Sequence, residues 1–194
     1  MTRALGRLLP AVAVLAAAPA FAQSYYRIRP DDPRAVELTR EAFGAQGDGS
    51  ADDAPALQQA IDTLQETVKQ GVLLIPSGRY RLGRTVYVWS GIRLIGYGAT
   101  RPVLVLGEST PGFQEGDGKY LVHFVSWRPA PGEPIRDGNP GTFYSAMSNV
   151  DLEIGDGNPA AVGVRFHVAQ HCYLSHMDLR LGSAGRCTSG PASA

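Results

Sequence analysis

Apolar residues recur at two different periods along this chain, and the change between them divides it. Leu57, Ala60, Ile61, Leu64 and Val68 fall at the 3.6-residue spacing of one helix face. Asp53 stands where an N-cap belongs, and Pro55 suits a first turn, where its missing N–H is not needed. Asp52 and Asp53 add negative charge at the positive end of the helix dipole. Lys69 in the last turn and Gly71 just beyond it predict the stop. After Gly71 the period shortens. Val72-Leu73-Leu74-Ile75 is a continuous apolar run, as in a strand buried on both faces. Tyr80 and Leu82 then alternate with Arg79 and Arg81, and Val86 and Val88 with Thr85, Tyr87 and Trp89. Ile92 and Leu94 follow the Ser90-Gly91 turn, and residues 103–106 follow Thr100-Arg101-Pro102. Short strands joined by short turns predict a β-solenoid or a sandwich.

A repeat favours the solenoid. Ser148-Asn149-Val150-Asp151-Leu152-Glu153-Ile154-Gly155 aligns with Ser175-His176-Met177-Asp178-Leu179-Arg180-Leu181-Gly182, at an offset of 177 − 150 = 27 residues. Between the copies lie the turn 156–159, a strand over 162–168 and a shorter strand over 172–174. Three strands per period is one coil of a parallel β-helix. Val150, Leu152 and Ile154 are then expected inside, over Met177, Leu179 and Leu181, with coils about 4.8 Å apart. Residues 107–145 interrupt the pattern with five prolines, and only 120–125 reads as strand there. A loop this long is usually functional or disordered. Residues 23–42 form a polar lead-in, in which 36–42 fits a short helix or an edge segment equally well.

Taken in order, FGAQGDGSADDAPALQQAID (43–62), QGVLLIPSGRY (70–80) and GIRLIGYGA (91–99) resemble the N-terminal part of the pectate lyase superfamily. Members include polygalacturonase-like glycoside hydrolases and phage tailspikes. The motifs run from Phe43 to about Leu106, and the likeness continues more loosely to about Gly182. The resemblance implies an all-β solenoid: a right-handed parallel β-helix with an N-terminal α-helical cap, acting on polysaccharide. It also implies that the opening motif, with Asp48, Asp52 and Asp53, is structural. Family members continue for many more coils, so the chain is expected to be truncated or frame-shifted near Gly182, with the small-residue stretch 183–194 an aberrant tail.

Charge narrows the partners. Eighteen basic and eighteen acidic residues cancel, so no bulk attraction to nucleic acid or anionic membrane is expected. Residues 1–22 read as a secretory signal: Arg3 and Arg7, an apolar run too short to span a bilayer, then Ala20-Phe21-Ala22. The mature chain is expected to begin at Gln23, in the periplasm or outside the cell. Cys172 and Cys187 could pair in an oxidising compartment; the simpler reading makes Cys172 a small buried strand residue and leaves Cys187 in the tail.

Several groupings suggest chemistry. Gly96-Tyr97-Gly98 follows a strand but lacks a third glycine and a following helix, so it reads as a turn between coils. His167, His171 and His176 have helical ligand spacing, but in an extended run four residues span about 13 Å, too far for one metal ion. No metal is assigned, and no cofactor apart from Ca²⁺ if the chemistry is lyase-like. Arg165 and His167 are candidates to meet an acidic sugar's carboxylate. Phe113, Trp127 and Tyr144 could line a sugar cleft or pack the long loop onto the solenoid. Asp151 and Asp178 align in the repeat, and the pattern points both outward. Carboxylates one rung apart could share a proton or bind a cation, and a raised pKa is what a general acid needs; otherwise they are surface charge beside Glu153 and Arg180. The resemblance implies acidic catalytic residues in kind but in later coils, and none of the family's catalytic motifs is present. The expected function is that of an exported polysaccharide hydrolase or lyase. The alternatives are a non-catalytic glycan-binding scaffold or an inactive fragment.

Overall fold

The computed structural model describes residues 23–182. The expected signal segment, the tail 183–194 and Cys187 lie outside the described residues. The chain runs β1 (Val36–Glu37), α1 (Arg40–Phe43), β2 (Asp48–Asp52), α2 (Ala54–Thr67), β3 (Gly71–Pro76), β4 (Arg79–Arg81) and β5 (Val86–Val88). It continues β6 (Ile92–Tyr97), β7 (Val103–Leu106), β8 (Lys119–Phe124), β9 (Ala146–Ser148), β10 (Asp151–Ile154), β11 (Ala161–Arg165), β12 (Tyr173–Ser175) and β13 (Leu179–Leu181).

These strands form three sheets, β1-β3-β6-β9-β12, β2-β4-β7-β10-β13 and β5-β8-β11, and every ladder between them is parallel. Each coil visits the three sheets in turn: β3-β4-β5, then β6-β7-β8, then β9-β10-β11. This is a parallel β-helix, and the β-solenoid expected from the pattern is the fold. The inward residues stack as columns. Leu73, Leu94, Met147 and Leu174 form one, and Tyr80, Leu104, Leu152 and Leu179 another. The 27-residue repeat is the register between β10 and β13, with Leu152 opposite Leu179 and Ile154 opposite Leu181. Residues 36–42 hold both expected forms, an edge strand and then a short helix whose Thr39 side chain accepts from the Ala42 N–H.

Following β1 and β2, α2 occupies the place in chain order where a third-sheet strand would come. Leu57, Ile61 and Leu64 are fully buried on it and join the core with Leu73, Val86 and Ile92. Burying three such side chains contributes about 1.5–3 kcal/mol each.

The helix ends differ from the expectation. Asp53 makes no capping bond. Its carboxylate instead accepts the Gln46 and Gly47 N–H groups at 2.7 and 3.0 Å, tying the preceding loop to the helix start. Asp52 accepts from the Ala54 and Gly83 amides, and Asp48 from Ser50 and Ala51. At the other end Lys69, not a glycine, turns left-handed (φ 68), and Gly71 already belongs to β3. The expected strand over 162–168 stops at Arg165, and Cys172 sits half-buried in the turn before β12 instead of within a strand.

The corners repeat as the strands do. Gly91, Tyr144 and His171 stand at the same register position ahead of first-sheet strands, two residues before the paired Arg93, Ala146 and Tyr173, and all three are left-handed, with φ of 82, 60 and 60. Asn149 (φ 59) makes the sharp turn from β9 to β10. Its buried amide donates to the Ser24 hydroxyl and the Gly96 carbonyl and accepts from the Tyr25 N–H, which offsets the cost of the conformation. These bonds fasten the lead-in across the outer face of the first sheet.

Candidate functional site

One apolar-polar-apolar triplet recurs in the third sheet: Val86-Tyr87-Val88, Val122-His123-Phe124 and Val164-Arg165-Phe166. The valines stack inward, so Tyr87, His123 and Arg165 stack outward, one per coil. The long loop adds a fourth group. It returns beside the end of β8 through a single antiparallel bridge, Val125 to Asp137. The approach is so close that a Cβ on Gly138 would lie 2.0 Å from the His167 carbonyl oxygen, so glycine is required there.

Asp137 gathers three side chains. Its Oδ1 lies 2.9 Å from His123 Nε2, and its Oδ2 accepts from Arg165 at 2.6 and 3.1 Å. His167 Nδ1 stands 3.3 Å from the same Oδ2. Burial pushes the carboxyl up, but the hydrogen bonds and charge of Arg165, with His123 and His167, win and hold it down at about 2. An ionised carboxylate can only accept. His123 therefore donates through Nε2, and in the neutral ring Nδ1 is left as an acceptor. The rings around it are aromatic. Tyr120 meets the imidazole edge-on at 5.0 Å, Tyr87 lies 5.8 Å away and stacks with Trp89, and the Arg165 guanidinium sits 5.8 Å over Tyr120. Gln58 of α2 holds the Tyr87 backbone through both its amide groups. The face thus offers an oriented imidazole, a guanidinium and flat apolar rings, a combination that suits sugar hydroxyls and pyranose faces.

Of the residues singled out from sequence, Arg165 and His167 do meet here, through Asp137. The others do not. Trp127 lies further along the loop, 46% exposed, with the Arg136 guanidinium 5.5 Å over its ring. Tyr144 stands at the corner before β9, stacked on His171 and beneath Arg93. Phe113 is buried in the core, so it packs the loop and lines no cleft.

Asp151 is not an outward surface charge but 2% exposed. Its carboxylate takes the Asp178 N–H at 2.9 Å and Arg180 at 3.0 Å. Arg101 Nε lies 2.8 Å from Oδ1, the oxygen that takes the Asp178 N–H, without directing its hydrogen at it, which makes this a charge contact and no hydrogen bond. Arg101 also reaches Asp178 at 2.5 Å. A guanidinium therefore bridges the two aspartates, in the place where the repeat had allowed a shared proton or a bound cation. Glu153 pairs chiefly with Arg79, at 2.7 Å, and stands 3.9 Å from Arg180. His123, Asp137, Tyr87 and Tyr120 escaped the sequence reading. The triplet recurrence was the signal that could have found Tyr87 and His123 on the third sheet; the loop-borne Asp137 had none.

A parallel β-helix with a histidine, an arginine and tyrosines ranked along one sheet is the class of protein defined so far. The chain belongs to the family described as rhamnogalacturonase A/epimerase, pectate lyase-like, whose model matches residues 41–190. It is 37% identical over 71 residues to mannuronan C5-epimerase AlgE3 of Azotobacter vinelandii, covering 33% of this chain and 4% of that protein. Among solved structures it is similar to PfbA, a surface adhesin of Streptococcus pneumoniae, with a TM-score of 0.47, 16% identity and coverage of 75% of this chain and 33% of that one. An iota-carrageenase complexed to iota-carrageenan fragments gives 0.47, 16%, 81% and 31%, in the same order. The chain thus spans about a third of the length of those structures and a small part of the epimerase. The relatives are carbohydrate-active or surface β-helix proteins. Among the described residues no helix is long and apolar enough to cross a membrane.

Proposed function

We propose that this chain forms the opening coils of an exported protein that binds and modifies an acidic polysaccharide, with the third-sheet face as the surface that holds the sugar. The observation that carries the reading is the meeting of His123, Arg165 and His167 on Asp137 between Tyr87 and Tyr120. Family membership and the epimerase relative support a uronate substrate. The expected signal segment supports export.

The chemistry of the face favours proton removal over hydrolysis. Glycoside hydrolysis commonly needs two carboxyl groups, one of them protonated. Asp137 is the carboxylate at this cluster, and it is held ionised. His123, oriented by that carboxylate, is placed to take a proton next to a uronate carboxylate, which Arg165 would steady. Such a step begins both elimination and epimerisation. A second reading, glycan binding without turnover, is favoured by the bonds Arg165 already makes to Asp137, which a sugar carboxylate must compete with.

Incubation with polymannuronate and polygalacturonate, with and without Ca²⁺, separates these outcomes. Elimination leaves unsaturated ends that absorb in the ultraviolet, epimerisation changes the sugar composition without new ends, and a scaffold binds without product. His123→Gln is expected to abolish turnover and leave binding within about threefold. Full turnover by that variant would remove His123 from the mechanism.

A further inference from the structure

The lead-in and the outer face of the first sheet enclose a second candidate surface, on a different side of the solenoid from Asp137. Two adjoining cavities of ≈ 480 and ≈ 390 Å³ lie there and share Asp32, Val72 and Arg93. Both are of ligand size. The floor is apolar, made of Val72, Leu74 and Ile95, which alternate outward along β3 and β6. Tyr26 of the lead-in and Tyr173 of β12 stand over it, and Tyr173 is 44% exposed.

The charge in this groove is not spent. Arg34, Lys69 and Arg93 line it against one carboxylate, Asp32, and that carboxylate is engaged by the Arg34 backbone N–H at 2.9 Å. Among the described residues none of the three cations has an ion-pair partner, and Arg93 has only the face of Tyr144, 5.9 Å away. The second sheet contrasts with this, since Arg79, Arg101 and Arg180 are all matched by carboxylates there. The balance of three cations to one anion, 3 − 1 = 2, sits over an apolar floor in a chain whose net charge is zero.

We propose that this groove is a second saccharide subsite, for an acidic oligosaccharide whose carboxylates meet Arg34, Lys69 and Arg93 while a sugar ring lies against Tyr173. Apolar pyranose faces and regularly spaced carboxylates complement that surface, through stacking and charge-assisted hydrogen bonds. The lead-in is one wall of the groove. It is held at Asn149 by Ser24 and Tyr25, and again where Arg29 meets Glu37 at 2.8 Å. The proposal rests on the polysaccharide reading above but not on the third-sheet face.

Calorimetric titration of the 194-residue chain with oligogalacturonate tests it. Two classes of site are expected. Arg34→Gln with Lys69→Gln, both on exposed side chains, should weaken one class about tenfold or more and spare the other. Tyr173→Ala should weaken the same class, and His123→Ala with Arg165→Gln the opposite one. Raising salt to about 1 M, where screening acts within roughly 3 Å, should suppress the groove class most. A double variant that binds as the parent does would overturn the groove while leaving the third-sheet reading intact. So would loss of all binding in the third-sheet variant. No binding by the parent chain would overturn both. A sulfated galactan oligomer displacing oligogalacturonate from the groove at lower concentration would overturn the assignment to carboxylates.

Discussion

Asp53 shows how a single residue can keep its place and change its duty. It precedes the helix as a cap should, yet its carboxylate turns back to two amides of the loop before it. Asp53→Ala removes the acceptor from both and is expected to cost about 1–3 kcal/mol in urea unfolding. Asp48→Ala, on exposed amides, should lose distinctly less. Asp137 gives a prediction in pH. Its folded value, about 2, lies below the ordinary 3.8, so the stability it lends is complete above about 4 and is lost as pH falls through about 2. Amide exchange in residues 126–142 should accelerate across that window. Asp137→Asn should accelerate it already at pH 7 and flatten the dependence; an unchanged profile would mean that the cluster does not hold the loop.

Among the elements, the strands were legible and the loop was not. Buried strands of a solenoid write their register into the chain: the alternation of Tyr80 and Leu82, the apolar run before Pro76, and the 27-residue repeat each state a physical requirement of stacked coils. The loop from 107 to 145 has no such period. Asp137 reaches His123 because Gly138 lets two backbones touch, and nothing in the local pattern of a proline-rich stretch announces a contact with residue 167. The distances between Tyr87, His123 and Arg165, 36 and 42 residues, also differ from 27, so one measured repeat could not bring them together. Gly138→Ala should push the loop off the sheet and release Asp137 from its three partners. Faster proteolysis within residues 126–142, with little change in the melting of the coils, is the expected result.

On the scale of the whole molecule, buried charge ties coils together as firmly as apolar columns do. Asp151 sits between Arg101 of one coil and Arg180 of another, almost out of solvent. Removing it leaves Arg101, itself 10% exposed, with Asp178 as its remaining carboxylate and deprives the Asp178 N–H of its acceptor, so Asp151→Ala is expected to cost about 1–3 kcal/mol in denaturant unfolding. The same view corrects the notion of a lead-in as mere preface. Tyr25 bonds to Asn149, 124 residues later in the chain. At a synthesis rate of about 5–20 residues per second, that partner appears roughly 6–25 s after its mate. Until then the lead-in over Leu74 and Ile95, both buried in the finished fold, is held without that bond. Residues 24–26 thus wait on a late partner before they are fully fastened, and a chaperone or a sticky neighbour has those seconds in which to reach them.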